Sequence, residues 1–124
     1  MLKYKHILVP YDGSPHAAEA LKLAAKFTAD GDDATLTLVS VSKGEDDTDI
    51  LLSVTEAQVP AGVEYHAVEI HGQPGSAIVQ YAQDEDIDLI IMGSRGMSAF
   101  KGMFMGSVSS YVVSHSTCPV IIVK

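Results

Sequence analysis

The stretch Leu89-Ile90-Ile91-Met92-Gly93-Ser94-Arg95-Gly96, followed after nine residues by Gly106-Ser107, sets the architecture of the chain. Its first half is a continuous apolar run, the pattern of a strand buried on both faces. The run stops abruptly at glycine, and from Ser107 to His115 the apolar residues Val108, Tyr111 and Val112 recur at helical spacing. The spacing therefore predicts a strand over 88–92, a glycine-rich connection, and a helix over 107–115 that carries Val108, Tyr111, Val112 and His115 on one stripe. Glycine permits positive φ and lets backbone amides approach a ligand with no Cβ in the way, and Gly106 is expected to use both properties. The first turn of the 107–115 helix offers N–H groups without intrahelical partners at the positive end of its dipole, which is a seat for phosphate. Ser94, Arg95, Ser98, Ser107 and Ser109 would add further donors.

Upstream, the hydrophobic period alternates between strand and helix. A strand is expected over 5–10, then a helix opened by Ser14 as N-cap and Pro15 at the first helical position. Ala17, Ala20, Leu21, Ala24 and Thr28 line its inner face, and Asp30-Gly31 is its expected stop. Further strands are predicted over 35–41 and 63–70, a short helix over 49–58, a helix opened by Pro74 with Ala77, Ile78, Tyr81 and Ala82 inward, and a last strand over 120–123. This is the signature of an α/β fold: one domain over residues 1–124 with an open five-stranded parallel sheet, order 3-2-1-4-5, and helices on both faces. Strands one, four and five read as runs buried on both sides, whereas strand three alternates with polar residues and reads as an edge. In that order the chain reverses direction between strands one and four, and ligands of such sheets lie at the carboxyl ends there. Those ends carry Pro10-Tyr11-Asp12 and Met92-Gly93-Ser94.

Charge narrows the ligand. The net charge is −8, which argues against nucleic acid as a partner. All sixteen acidic residues lie at or before Asp88, and the remainder carries only Arg95, Lys101 and Lys124. A locally basic segment in an acidic chain is where an anion is tolerated. No apolar run approaches the length of a membrane span, no secretory leader pattern is visible, and the single cysteine, Cys118, reads as a small packing residue. A cytoplasmic location is expected. His66 and His71 have no third ligand within sequence reach, so no metal site is expected, and Asp84-Glu85-Asp86 reads as a solvated helix end.

The loop is neither a P-loop, since no Gly-Lys-Ser/Thr occurs, nor a dinucleotide G-x-G-x-x-G fingerprint. Its spacing G-x₂-G-x₉-G-S, together with Cys118-Pro119-Val120, resembles the C-terminal signature of the universal stress proteins. Ile7-Leu8-Val9-Pro10-Tyr11-Asp12-Gly13-Ser14 is similar to that family's opening strand, and Gly72-x-Pro74-x₃-Ile78 to the entry of its helix after strand three. The resemblance implies a Rossmann-like, adenine-nucleotide-binding fold of the ATP-binding branch, with Mg²⁺ carried by the phosphates and ADP or AMP as other occupants. Pro10, Asp12, Val41 and Met92 would then flank the nucleoside, and Gly93, Gly96, Gly106, Ser107, Val108 and Ser109 would cradle the phosphates. Two departures stand out: Ser40 occupies a position that the family often fills with His, and the segment 42–62 is short, which predicts a stunted helix there. The implied function is a nucleotide-dependent regulator with an unidentified protein partner; the rivals are a slow ATP hydrolase and a structural dimer with an empty site. No acid follows Asp88 and no histidine lies between that residue and His115, which favours binding over hydrolysis. The apolar last strand, at an outer edge, is expected to pair with its own copy in a homodimer.

Overall fold

The computed structural model describes residues 4–29, 34–42, 59–60, 62–94 and 106–124. Among them the strands are β1 (His6–Pro10), β2 (Thr35–Ser42), β3 (Tyr65–His71), β4 (Leu89–Gly93) and β5 (Val120–Val123), and the helices are α1 (Pro15–Ala29), α2 (Pro74–Asp84) and α3 (Ser107–His115). The sheet is parallel in the order β3-β2-β1-β4-β5, as expected. The expected helix over 49–58 and the Asp30-Gly31 stop lie outside the described residues.

Alternation along the central strands divides the core in two. Ile7, Val9, Leu36, Leu38, Leu89 and Ile91 meet Ala17, Ala20, Leu21 and Ala24 of α1 on one face. Leu8, Val39, Ile90 and Met92 meet Ile78, Val79 and Ala82 of α2 and Val112 of α3 on the other. Parallel strands need crossover helices, so both faces are covered and the strands between them carry apolar residues in both directions. β5 departs from that pattern: every residue of it is only half-buried, because among the described residues one side of this edge strand has no neighbour in the sheet.

Several boundaries move for identifiable reasons. The first helix starts as read, with the Ser14 hydroxyl accepting from Ala17 N–H at 3.1 Å. β3 begins two residues later than the pattern suggests because the Val63 N–H is engaged by the Pro60 carbonyl in a turn. β4 begins after Asp88, whose carboxylate instead accepts the N–H groups of Lys5 (2.8 Å) and His6 (3.0 Å) and so ties the mouth of β1 to β4. α2 ends in a Schellman arrangement: Ile87 N–H donates to the Ala82 carbonyl at 2.9 Å and Asp86 N–H to that of Gln83 at 3.4 Å, with Asp86 at φ 52°. In α3 the expected stripe is corrected. Val112 and Ser109 are buried, while Tyr111 and His115 are exposed and stacked on each other with centroids 3.9 Å apart. The Tyr111 ring lies against α2 at Gly75, whose missing side chain leaves room for it: a Cβ there would come within 2.8 Å of the ring.

Candidate functional site at the carboxyl ends of β1 and β4

The β1–β4 ladder registers Ile7 with Leu89 and Leu8 with Ile90 and goes no further, although β1 continues to Pro10 and β4 to Gly93. The two strands thus leave their pairing at their carboxyl ends, where the chain order reverses, and this is where α/β sheets receive ligands. Three expected residues converge there. Met92 and Val41 belong to the α2/α3 side of the core, and Pro10, two residues after Leu8, points to the same face. They stand at the ends of β4, β2 and β1, and Val108 of α3 packs against the same cluster. Together they form an apolar wall.

Beside that wall is the start of α3. Its N-cap is Gly106, with no side-chain cap, and its first turn carries no acidic residue. Ser110 N–H makes the first helical bond, to the Gly106 carbonyl at 3.0 Å. The amides of Ser107, Val108 and Ser109 precede it and have no intrahelical acceptor, which leaves partial positive charge at this end. Gly106 has φ −74° and ψ 165°, so the expectation of positive φ at this glycine is overturned; an extended N-cap is open to any residue. What glycine contributes here is the lack of a side chain over the amides.

The junction between β4 and α3 is made by Ser94. Its N–H donates to the Val123 carbonyl of β5 at 2.8 Å, and its carbonyl accepts from Gly106 N–H at 2.7 Å and from the Ser109 hydroxyl at 2.8 Å. Ser107 is exposed, whereas Ser109 is buried and its hydroxyl is turned into the protein. Gly93 serves a different neighbour from the one expected. A Cβ there would fall 2.6 Å from His16 Cβ and 2.7 Å from the His16 carbonyl carbon, so its bareness admits the first turn of α1. Arg95 and Gly96 lie outside the described residues, as do Ser98 and Lys101.

Asp12 is exposed at the turn leaving β1, with Oδ1 accepting from Ser14 N–H at 2.9 Å. Gly13 follows at φ 84°, a conformation that glycine adopts without cost and that turns the chain into α1. Two residues named in the sequence have duties that the sequence reading did not assign. The Ser40 hydroxyl, 1 % exposed, donates to the Tyr11 carbonyl at 3.3 Å, and Tyr11 N–H donates to the Val39 carbonyl at 2.8 Å. These bonds hold the segment before Asp12 against β2. β2 carries four hydroxyl residues, Thr35, Thr37, Ser40 and Ser42, so its sequence does not single out Ser40. Among the described residues no cluster of three potential metal ligands occurs, and no helix is long and apolar enough to cross a membrane.

These features define a small parallel α/β protein in which a helix terminus with no side-chain cap and no acidic residue in its first turn lies next to an apolar cluster. The family model for the universal stress protein family matches residues 3–56 and 43–124. A universal stress protein from Thermus aquaticus is 36 % identical over 137 aligned positions, covering 98 % of this chain and 99 % of that protein. Universal stress protein MJ0531 of Methanocaldococcus jannaschii is 29 % identical, covering 98 % of this chain and 82 % of that protein. Among solved structures, that of MJ0577 superposes with a TM-score of 0.86 at 28 % identity, covering 99 % of this chain and 97 % of that one. A universal stress protein in complex with cAMP superposes with a TM-score of 0.83 at 26 % identity, covering 99 % and 98 %. The chain belongs to the universal stress protein family. The alignment to the Thermus protein is longer than this chain's 124 residues, so that relative carries positions this chain lacks.

Proposed function

We propose that this chain binds an adenine nucleotide, ATP foremost, with the phosphates at the start of α3 and the nucleoside against Pro10, Val41 and Met92. The observation that carries the reading is the α3 terminus: a side-chain-free cap and an acid-free first turn next to an apolar wall at the switch point of the sheet. The related structure with cAMP supports the class of ligand. Mg²⁺ would ride on the phosphates, and Arg95 and Gly96 would complete the loop. ATP then acts as a ligand whose occupancy regulates the protein, rather than as a substrate turned over rapidly. Residues 1–124 form one universal stress protein domain, working in the cytoplasm as a homodimer paired through β5.

The test is Ser107→Glu. A carboxylate in the first turn of a helix complements the dipole, so folding stability should be retained or slightly improved. The same charge beside a triphosphate should weaken ATP binding by at least about tenfold while sparing adenosine. Calorimetry would read both ligands on both proteins. Wild-type protein with no affinity for ATP, or a variant that binds ATP as tightly as wild type, overturns the reading.

A further inference from the structure

Resting on that nucleotide reading, we infer that Ser109 is a positioning residue, whose hydroxyl holds the base of the phosphate loop and donates nothing to the phosphates. The resemblance places Ser109 among the phosphate contacts, but its hydrogen bonding is already committed. The side chain is 2 % exposed, and its one hydroxyl proton has two carbonyl acceptors, Ser94 at 2.8 Å and Gly106 at 3.1 Å. Neither carbonyl can donate in return, so the proton is directed to one or shared between both. A phosphate oxygen is also only an acceptor. Ser109 would present to it lone pairs alone.

The bond to Ser94 has a consequence for the ends of the segment 95–105. Residues 94 and 106 are already joined by Gly106 N–H to the Ser94 carbonyl at 2.7 Å. The Ser109 hydroxyl gives that carbonyl a second donor from one turn further along α3. The other side of the same residue is held by β5 through Ser94 N–H and the Val123 carbonyl. The peptide groups of Ser94 therefore cannot swing without breaking contacts to both β5 and α3. The amide-bearing start of α3 is thereby held at a constant position relative to the end of β4, and phosphate recognition falls to the backbone amides and the exposed Ser107 hydroxyl.

Ser109→Ala and the near-isosteric, weakly donating Ser109→Cys separate the roles. Two readouts are needed: calorimetry with ATP and with adenosine, and amide hydrogen exchange at Gly106 without nucleotide. The expected result for Ser109→Ala is ATP affinity lower by about 3- to 10-fold, adenosine affinity unchanged, and faster exchange at Gly106. Ser109→Cys, which preserves packing, should show the same pattern at smaller size. Weaker ATP binding with wild-type exchange at Gly106 would make Ser109 a phosphate donor and overturn the inference. Faster exchange with unchanged ATP affinity would make the bond purely structural and overturn it as well. Wild-type protein that does not bind ATP is a different failure, that of the nucleotide reading, and is visible before any variant is made.

Discussion

Gly93 and His16 approach so closely that a Cβ on the glycine would stand 2.6 Å from the Cβ of the histidine. The other obstacles, the His16 carbonyl carbon at 2.7 Å and Ala17 N at 3.0 Å, are backbone of the first turn of α1 and cannot rotate aside. Gly93→Ala must therefore push α1 from the sheet. The expected cost is about 1–3 kcal/mol of folding stability, as for other overpacked sites. Urea unfolding with wild-type stability to within about 0.5 kcal/mol would contradict the packing described.

A stabilising substitution lies at the end of α2. Asp86 adopts φ 52°, a left-handed conformation that costs an L-residue energy and glycine almost none. It also places a negative charge just beyond the negative end of the helix dipole. Asp86→Gly keeps both Schellman bonds, since these use main-chain atoms, and should raise stability by about 0.5–1 kcal/mol. A lower melting temperature in the variant would be the adverse result.

The thiol of Cys118 gives a pH dependence with a definite sign. Burial raises its pKa, with Asp88 adding to the rise and a backbone hydrogen bond opposing it. The folded state thus favours the neutral thiol. Its contribution is complete below the unfolded thiol pKa of about 8.5 and is lost as pH rises through the higher folded value. Tyr81, raised by burial and then by Glu85, acts in the same direction at higher pH. Melting curves at intervals across the alkaline range should show wild type losing stability earlier than Cys118→Ala. Parallel curves for the two proteins would count against a shifted thiol.

The edge position of β5 predicts self-association. Val120 to Val123 are half-buried within one chain and, among the described residues, pair with β4 alone, which leaves one row of N–H and carbonyl groups facing away from it. Two-fold pairing of β5 with its own copy would satisfy that row. Ile121→Lys should shift light scattering from twice the monomer mass to the monomer, or to aggregates. A wild-type monomer across the micromolar range would refute the dimer.

Most of the fold was readable along the chain because local chemistry carries it. Ser14-Pro15 announces the start of α1, Pro74 that of α2, and the period-2 and continuous apolar runs announce the strands in an order that crossover geometry then restricts. Two segments of the candidate site were readable for the same reason, since Pro10 and Met92 lie at the carboxyl ends of β1 and β4, which the strand order makes neighbours, whereas Val41 came only from the family resemblance. The duties of individual residues were not. Gly93 and Gly106 are alike as letters, yet one is bare to admit α1 and the other leaves amides uncovered at an ordinary φ of −74°. Ser107 and Ser109 are equally plausible donors in one dimension, but α3 buries the second against Ser94 and leaves the first exposed. Tyr111 fits an inward stripe by spacing, yet it is exposed and stacked on His115, with its ring against Gly75. Periodicity and caps depend on neighbours within a few residues, which the chain order contains. Close approach, and the direction in which a hydroxyl spends its one proton, depend on partners brought near only when the sheet and helices pack together.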